Sequence, residues 1–322
     1  MTSTLHIRCG SDIRDGLGQA GVPGDFLEFS DPVCKGGTPA GDDDAFHAAR
    51  LDYLTVELGV SRAQTDTGLR EALNSLEQTR DYERVVLWFE HDIYDQAVLI
   101  RLLSWFADRP ELEPRLNMIS IDRFPGIDRF IGLGQLEPDQ LKTLWGSERP
   151  VTPAQITLGR RAWQAFRAPE PLALFELAAA GTPDLPFLAP ALMRHLRELP
   201  WTTDGLSLTE RLTLRAIAEG AETPGQCFRD LHGHLEPQPF LGDIMYWPIV
   251  TGLARAKVGA LTEPETWKSP IALTSLGNDL LDGKTDWVET NGIDRWVGGV
   301  HVRPGNLWRW DPSGSRPVKA SA

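Results

Sequence analysis

The sequence predicts an α/β protein: an N-terminal doubly wound, mainly parallel sheet, then a helical segment and a C-terminal winged-helix-like domain. Three observations predict it. Up to about residue 126, short β-branched and apolar runs alternate with segments of helical spacing, the order that builds a parallel sheet covered on both faces. From residue 137 to 200 proline-led segments read as helices. After Leu208 come three helical segments and then a hairpin signal, the plan of a winged helix. A chain of 322 residues exceeds what one core usually supports. The expected division is residues 1–135, a connector at 136–205, and 206–322.

In chain order, "TLHIRC" alternates up to Cys9 and reads as a strand; Gly10 and Ser11 break it, and Asp12 is placed to cap a following helix. Phe26 to Phe29 repeats the strand signal and ends in an Asp-Pro turn. Residues 43–58 and 66–79 carry helical spacing. "VVLWF", 85–89, is a strong strand, and Ile93 to Phe106 a helix on which Ile93, Leu99, Ile100, Leu103 and Phe106 can share a buried face. Leu116 to Ile121 supplies a fourth strand. Helix starts stand at Glu137-Pro138 and Thr152-Pro153, with proline-bounded segments at 169–180 and 186–199. The winged-helix-like part reads as helices from 209 to 220, "TPGQCFRDLHGH" and "FLGDIMYWPIVTGLARAK", a ribbon around "LTEPETWKSPIALT", and the short helix "SLGNDLLDG". The closing segment, with Trp287, Trp296, Trp308 and Trp310, suggests a strand pair docked on another surface. That surface is either the N-terminal cleft, which would bring His301 with it, or the winged-helix core.

A net charge of −13 opposes phosphate backbones at long range. Residues 206–258 hold six acids against five bases, and Met245, Tyr246, Trp247 and Ile249 suit the third helix for packing, so nucleic acid is not an expected partner. Cys9, Cys34 and Cys227 show no disulfide or CxxC spacing, which with the absence of a basic-then-apolar leader suggests reduced thiols in the cytoplasm. No apolar run is long enough to span a bilayer.

Ligands of open parallel sheets sit beyond the carboxyl ends of the strands. There this sequence places Cys9-Gly10-Ser11-Asp12, Ser30-Asp31-Pro32, Glu90-His91-Asp92 and Asp122-Arg123. Glu90, His91 and Asp95 have the donor types to bind a divalent cation. Alternatively Asp92 caps the helix, Asp95 complements its dipole, and Glu90 pairs locally with His91. Cys9 reads as a nucleophile with His91 as base, or as an inert core residue. Ser11 is a turn residue or a ligand hydroxyl. Arg123 and Arg129 offer a fork for an anion or salt bridges to Asp122 and Asp128. His6 and Arg8, polar on a strand expected to be buried, need partners such as Asp31 or Glu90.

"LHIRCGSDI", "FLEFSDPVCKGG", "LWFEHDIYDQ", "RFPG" with "GLGQL", and the tail "RWVGGVHV" with "WRWD" together resemble the bacterial family catalogued as domain of unknown function 1835. The resemblance covers about the first 136 residues and the C-terminal tail. It implies an α/β N-terminal domain and brings no reaction with it.

The residues themselves point to a hydrolase or group transferase acting on a small anionic metabolite or nucleotide, since no dinucleotide fingerprint is present. In that reading Glu90 and His91 serve as acid/base groups or metal ligands, while Asp12 and Ser11 position the substrate. Arg123 holds its negative group, and Asp31 and Gln96 complete the lining. The alternative is a non-catalytic sensor whose winged-helix-like domain contacts protein or DNA. A purely structural adaptor would leave Glu90 and His91 solvated.

Overall fold

The computed structural model describes residues 3–320. Its N-terminal part runs β1 (Thr4–Arg8), α1 (Arg14–Gln19), β2 (Asp25–Glu28), α2 (Asp43–Asp52), α3 (Arg62–Leu76), β3 (Arg84–Glu90), α4 (Ile93–Phe106), β4 (Leu116–Ile121), α5 (Pro138–Leu144) and β5 (Arg149–Pro150). The sheet order is β2-β1-β3-β4-β5. The first four strands are parallel; β5, which the sequence did not signal, pairs antiparallel through Asn117↔Pro150 and Met118↔Arg149.

The centre of the sheet is apolar on both faces, as a covered parallel strand must be. Val85, Leu87 and Phe89 point into a large core shared with α4, while Val86 and Trp88 point into a smaller one with Ile13, Leu17, Leu133 and Leu141. Chain order reverses between β1 and β3, so the crevice where open sheets take ligands lies at the ends of those two strands. The register Arg8↔Trp88 puts Arg8 and Glu90 at its lip.

Residues 136–205 do more than connect. α6 (Pro153–Phe166) lies along α4, α7 (Leu172–Ala180) follows, and α8 (Leu188–Leu196) also touches α4. Gly159 permits the close approach of α6, for a Cβ there would lie 2.4 Å from Leu103 Cβ. One apolar cluster therefore runs from Leu5 in β1 to Trp310 near the C-terminus.

The C-terminal part contains α9 (Leu208–Ala218), α10 (Pro224–Asp230), α11 (Asp243–Arg255), α12 (Ser275–Leu281) and α13 (Trp287–Asn291). Met245 and Tyr246 of α11 are buried, and the Tyr246 hydroxyl meets Thr213 Oγ1 at 3.0 Å. The expected ribbon is reduced to one antiparallel bridge, Leu261↔Leu273. Pro264 and Pro270 cannot donate to a ladder, and Ser269 caps the turn between them instead.

The tryptophan-rich tail forms two hairpins, β6 (Arg295–Val297) with β7 (Val300–Val302), and β8 (Trp308–Asp311) with β9 (Arg316–Lys319). It does not cover the strand ends; it joins the large core, and Arg295 pairs with Glu210 of α9 at 2.8 Å. Thr38 N–H donates to the Gly298 carbonyl at 3.0 Å, Gly299 N–H to that of Phe166 at 2.9 Å, and Trp310 bridges Trp201. The turn needs its glycines: Gly298 has φ +59°, and a Cβ on Gly299 would lie 2.1 Å from the Arg167 carbonyl carbon. His301 does not reach the strand ends; it stacks on Trp296 at 4.3 Å and pairs with Asp294. Among the described residues no helix is long and apolar enough to cross a membrane.

Candidate functional site

Arg8 is the hub of the strand-end crevice. It closes β1 with its side chain almost wholly buried, and all five of its N–H donors are engaged. Nε and Nη2 grip Asp12 at 3.0 Å each, Nη2 also meets Glu90, and Nη1 meets Asp95 and, at 3.4 Å, the Trp88 carbonyl. A polar side chain inside a central strand is tolerated because every hydrogen-bonding position is filled.

The carboxylates arrive from three elements. Glu90 ends β3 and also accepts the N–H of Leu133, while Gly132 lies so close that a Cβ would sit 2.8 Å from Glu90 Oε2. Asp95 stands in the first turn of α4 and accepts from the Glu90 amide at 2.8 Å and from the Cys9 thiol at 3.0 Å. Asp92 caps α4, its side chain receiving the Asp95 N–H at 3.0 Å. Asp12 is the member in reach of solvent, with its side chain 36% exposed. It does not cap α1, which begins at Arg14 behind an uncapped Ile13; Arg8 competes for its carboxylate and wins by forming two hydrogen bonds.

Burial and mutual repulsion shape the ionisation. Desolvation first and Asp95 second push Glu90 well above the usual carboxyl range, against the pull of Arg8. Asp92 is pushed the same way by the same two causes. Both acids are thus held less acidic than a solvated carboxyl, because burial and the nearby Asp95 disfavour their charged forms. The neighbouring His91 moves oppositely: burial lowers its imidazole below the ordinary value, with Asp122 and Asp95 pulling it back up. Its ring packs 6.1 Å from Phe130, and its Nδ1 is buried without a hydrogen-bond partner.

Several expected roles change. Cys9 is no nucleophile activated by His91: its thiol donates to Asp95 and burial raises its pKa, which suppresses the thiolate. The acids with oxygens within 4.8 Å of one another are Glu90, Asp92 and Asp95, so Asp92 takes the place proposed for His91 in a cation site. The Arg8 guanidinium already bridges Glu90 and Asp95, and a divalent cation would have to displace it. Arg123 is exposed and bound to Asp122 at 2.9 and 3.0 Å. Ser11 is exposed in the turn, its carbonyl accepting the Arg14 N–H. Gln96 serves the backbone by donating to the Glu90 carbonyl at 2.6 Å.

Asp31 belongs to a separate cluster. Its carboxylate is clamped by Arg50 Nε at 2.9 Å and by Arg101 Nη1 at 2.7 Å, and these two cations outweigh burial to hold it below the usual range. Tyr94, also on α4, ties the ends of β1 and β2 by donating to the carbonyls of Cys9 and Ser30, each at 3.1 Å. The loop over Glu90 is anchored at a distance: Arg129 donates to the carbonyls of His232 and Glu236, both at 2.7 Å. No protein-family model and no curated protein matches the chain.

Proposed function

We propose that the protein is a hydrolase or group transferase acting on a small anionic metabolite, with the crevice between β1 and β3 as its reacting centre. The observation that carries this reading is the opposed ionisation of two consecutive residues at the strand end. Burial drives Glu90 above the usual carboxyl range and drives His91 below the usual imidazole range. Environments that drive an acid up and a base down are what separates general acid from general base at neutral pH. In this reading the Glu90–Asp92 group donates a proton and His91 accepts one at its unpartnered Nδ1. Arg8 fixes the acids, and Asp12 at the solvent edge meets the substrate first. The resemblance noted above is in keeping with an α/β N-terminal domain.

The test is turnover of p-nitrophenyl phosphate and p-nitrophenyl acetate by the purified chain beside Glu90→Gln and His91→Ala. Acid/base roles predict a bell-shaped pH profile and a fall of about 100-fold or more in each variant. Wild-type rates in both variants would overturn the assignment.

A second reading, a ligand sensor, is favoured by the Arg129 tie. A molecule that shifted residues 131–135 would pull on the backbone at His232 and Glu236 in the C-terminal part. Absence of turnover, together with a ligand-dependent change in amide exchange at residues 231–236, would select this reading.

A further inference from the structure

Away from the strand ends, α2, α3, α4 and α6 enclose a cavity of about 740 Å³. That is ample for a small ligand. Its charge is unusual for an acidic chain. Arg50 is fully consumed, by Asp31 and the carbonyls of Pro32, Lys35 and Gly37. Arg101 gives one hydrogen bond, to the Asp31 carboxylate that Arg50 already holds. Arg167 forms no ion pair among the described residues; its Nε and Nη2 donate to the carbonyls of Pro39 and Gly41.

Both under-used guanidiniums converge on one spot, lying 4.8 Å (Arg101) and 5.1 Å (Arg167) from the centre of the Phe46 ring. Arg50 and Arg101 share the one buried carboxylate, Asp31, while Arg167 has the Asp43 carboxylate within electrostatic reach; at the rim Arg109 and Arg160 are occupied by Glu77 and Asp108. Like charges gathered in a poorly solvated hollow repel, and an anion entering between them relieves that repulsion. Burial, the first cause for each, lowers both arginines from their ordinary values, and Arg50 and Arg167 add to the lowering at Arg101. Beside this cationic end Phe46, Leu69, Leu73 and Trp163 offer apolar surface among the polar His47, Asn74, Ser104 and Gln164.

We propose that this cavity binds a small molecule with a phosphate dianion on a flat, largely apolar body, of the nucleoside monophosphate class. Arg101 and Arg167 take the phosphate, and the ring system lies along Trp163 and the leucines of α3. The site is independent of the acid/base reading of the strand ends. It shares α4 with them: Asp92 and Asp95 stand at the start of that helix and Arg101 lies two turns on.

Calorimetric titration of the full chain with adenosine 5′-monophosphate, adenosine and inorganic phosphate tests this. The expected result is saturable binding of the monophosphate that weakens with salt, with each fragment binding at least about tenfold more weakly. Arg167→Gln, which removes a charge, and Gln164→Trp, which fills the hollow without changing charge, should each weaken binding about tenfold or more. Glu90→Gln and the exposed Arg215→Gln should leave it unchanged. Equal binding of adenosine and its monophosphate would overturn the cationic role, and equal binding of phosphate alone would overturn the flat body. No binding of any probe, or binding indifferent to both cavity variants, would overturn the site. Circular dichroism of Arg167→Gln and Gln164→Trp separates lost binding from lost fold.

Discussion

Replacing Arg8 by methionine removes the cation that holds the buried Glu90 and Asp95 and the partly exposed Asp12, and its cost can be worked from the contacts. Five hydrogen bonds disappear, and Glu90 and Asp95 lose their counter-charge while remaining buried. Breaking a buried pair by deleting one partner costs about 3–5 kcal/mol. With an unfolding entropy that scales with length, that is a fall of about 4–8 °C in Tm for a chain of this size. The loss must depend on pH. Without Arg8 the Glu90 carboxyl of the folded variant titrates still higher, so its contribution is intact below the unfolded carboxyl value near 4 and is lost as pH rises through the folded value. Each proton retained by the folded state adds about 1.4 kcal/mol of loss per pH unit across that window. Thermal and guanidinium unfolding of wild type and Arg8→Met, followed by tryptophan fluorescence at pH 5, 6, 7 and 8, should show a difference that widens with pH. A constant difference, or one below about 1 kcal/mol at pH 8, would refute the account of Arg8 as sole counter-ion.

Three further outcomes follow from the same contacts. Gly132→Ala places a methyl against Glu90 Oε2 and should cost about 1–3 kcal/mol, with faster amide exchange at Leu133 as the readout. The His91 ring should titrate by NMR below the ordinary histidine value of about 6.5; stability tied to it is present above that value and lost as pH falls through the folded one, and a midpoint above 7 would contradict its burial. Cys9, Cys34 and Cys227 are buried with thiols raised by desolvation, Cys227 to about 12, so Ellman's reagent at pH 7.4 should label none of them before unfolding and all three after.

The stretch from Val85 to Phe106 was legible because burial on both faces leaves little room for ambiguity: an apolar run of strand length, an aspartate cap, then an apolar run of helix length. The strand ends were legible as a place, and Glu90, Asp95, Asp12 and Cys9 do meet there. Their hub was visible as an anomaly, since Arg8 is a charge in a central strand, but which acids it would hold depends on register and on α4's entry angle. The cavity was not legible. Arg50, Arg101 and Arg167 come from three helices with no shared motif, although an arginine inside "VLIRLLSWF" is a local signal that something must receive it. The ribbon shrinks to one bridge, Leu261↔Leu273, because Pro264 and Pro270 supply no donors. Of the two readings of Arg123, the salt bridge to its neighbour Asp122 is the one the side chains form.

The covering of Glu90 and the fastening of Arg129 lie within one short stretch of chain, residues 129–133. Uncovering the acid therefore cannot be a private rearrangement of the N-terminal half: the peptide that must lift is moored to backbone oxygens a hundred residues away. Truncating the chain after the sheet would leave that stretch adrift, so a shortened protein should expose its acids to water and lose the proton they keep in the whole one.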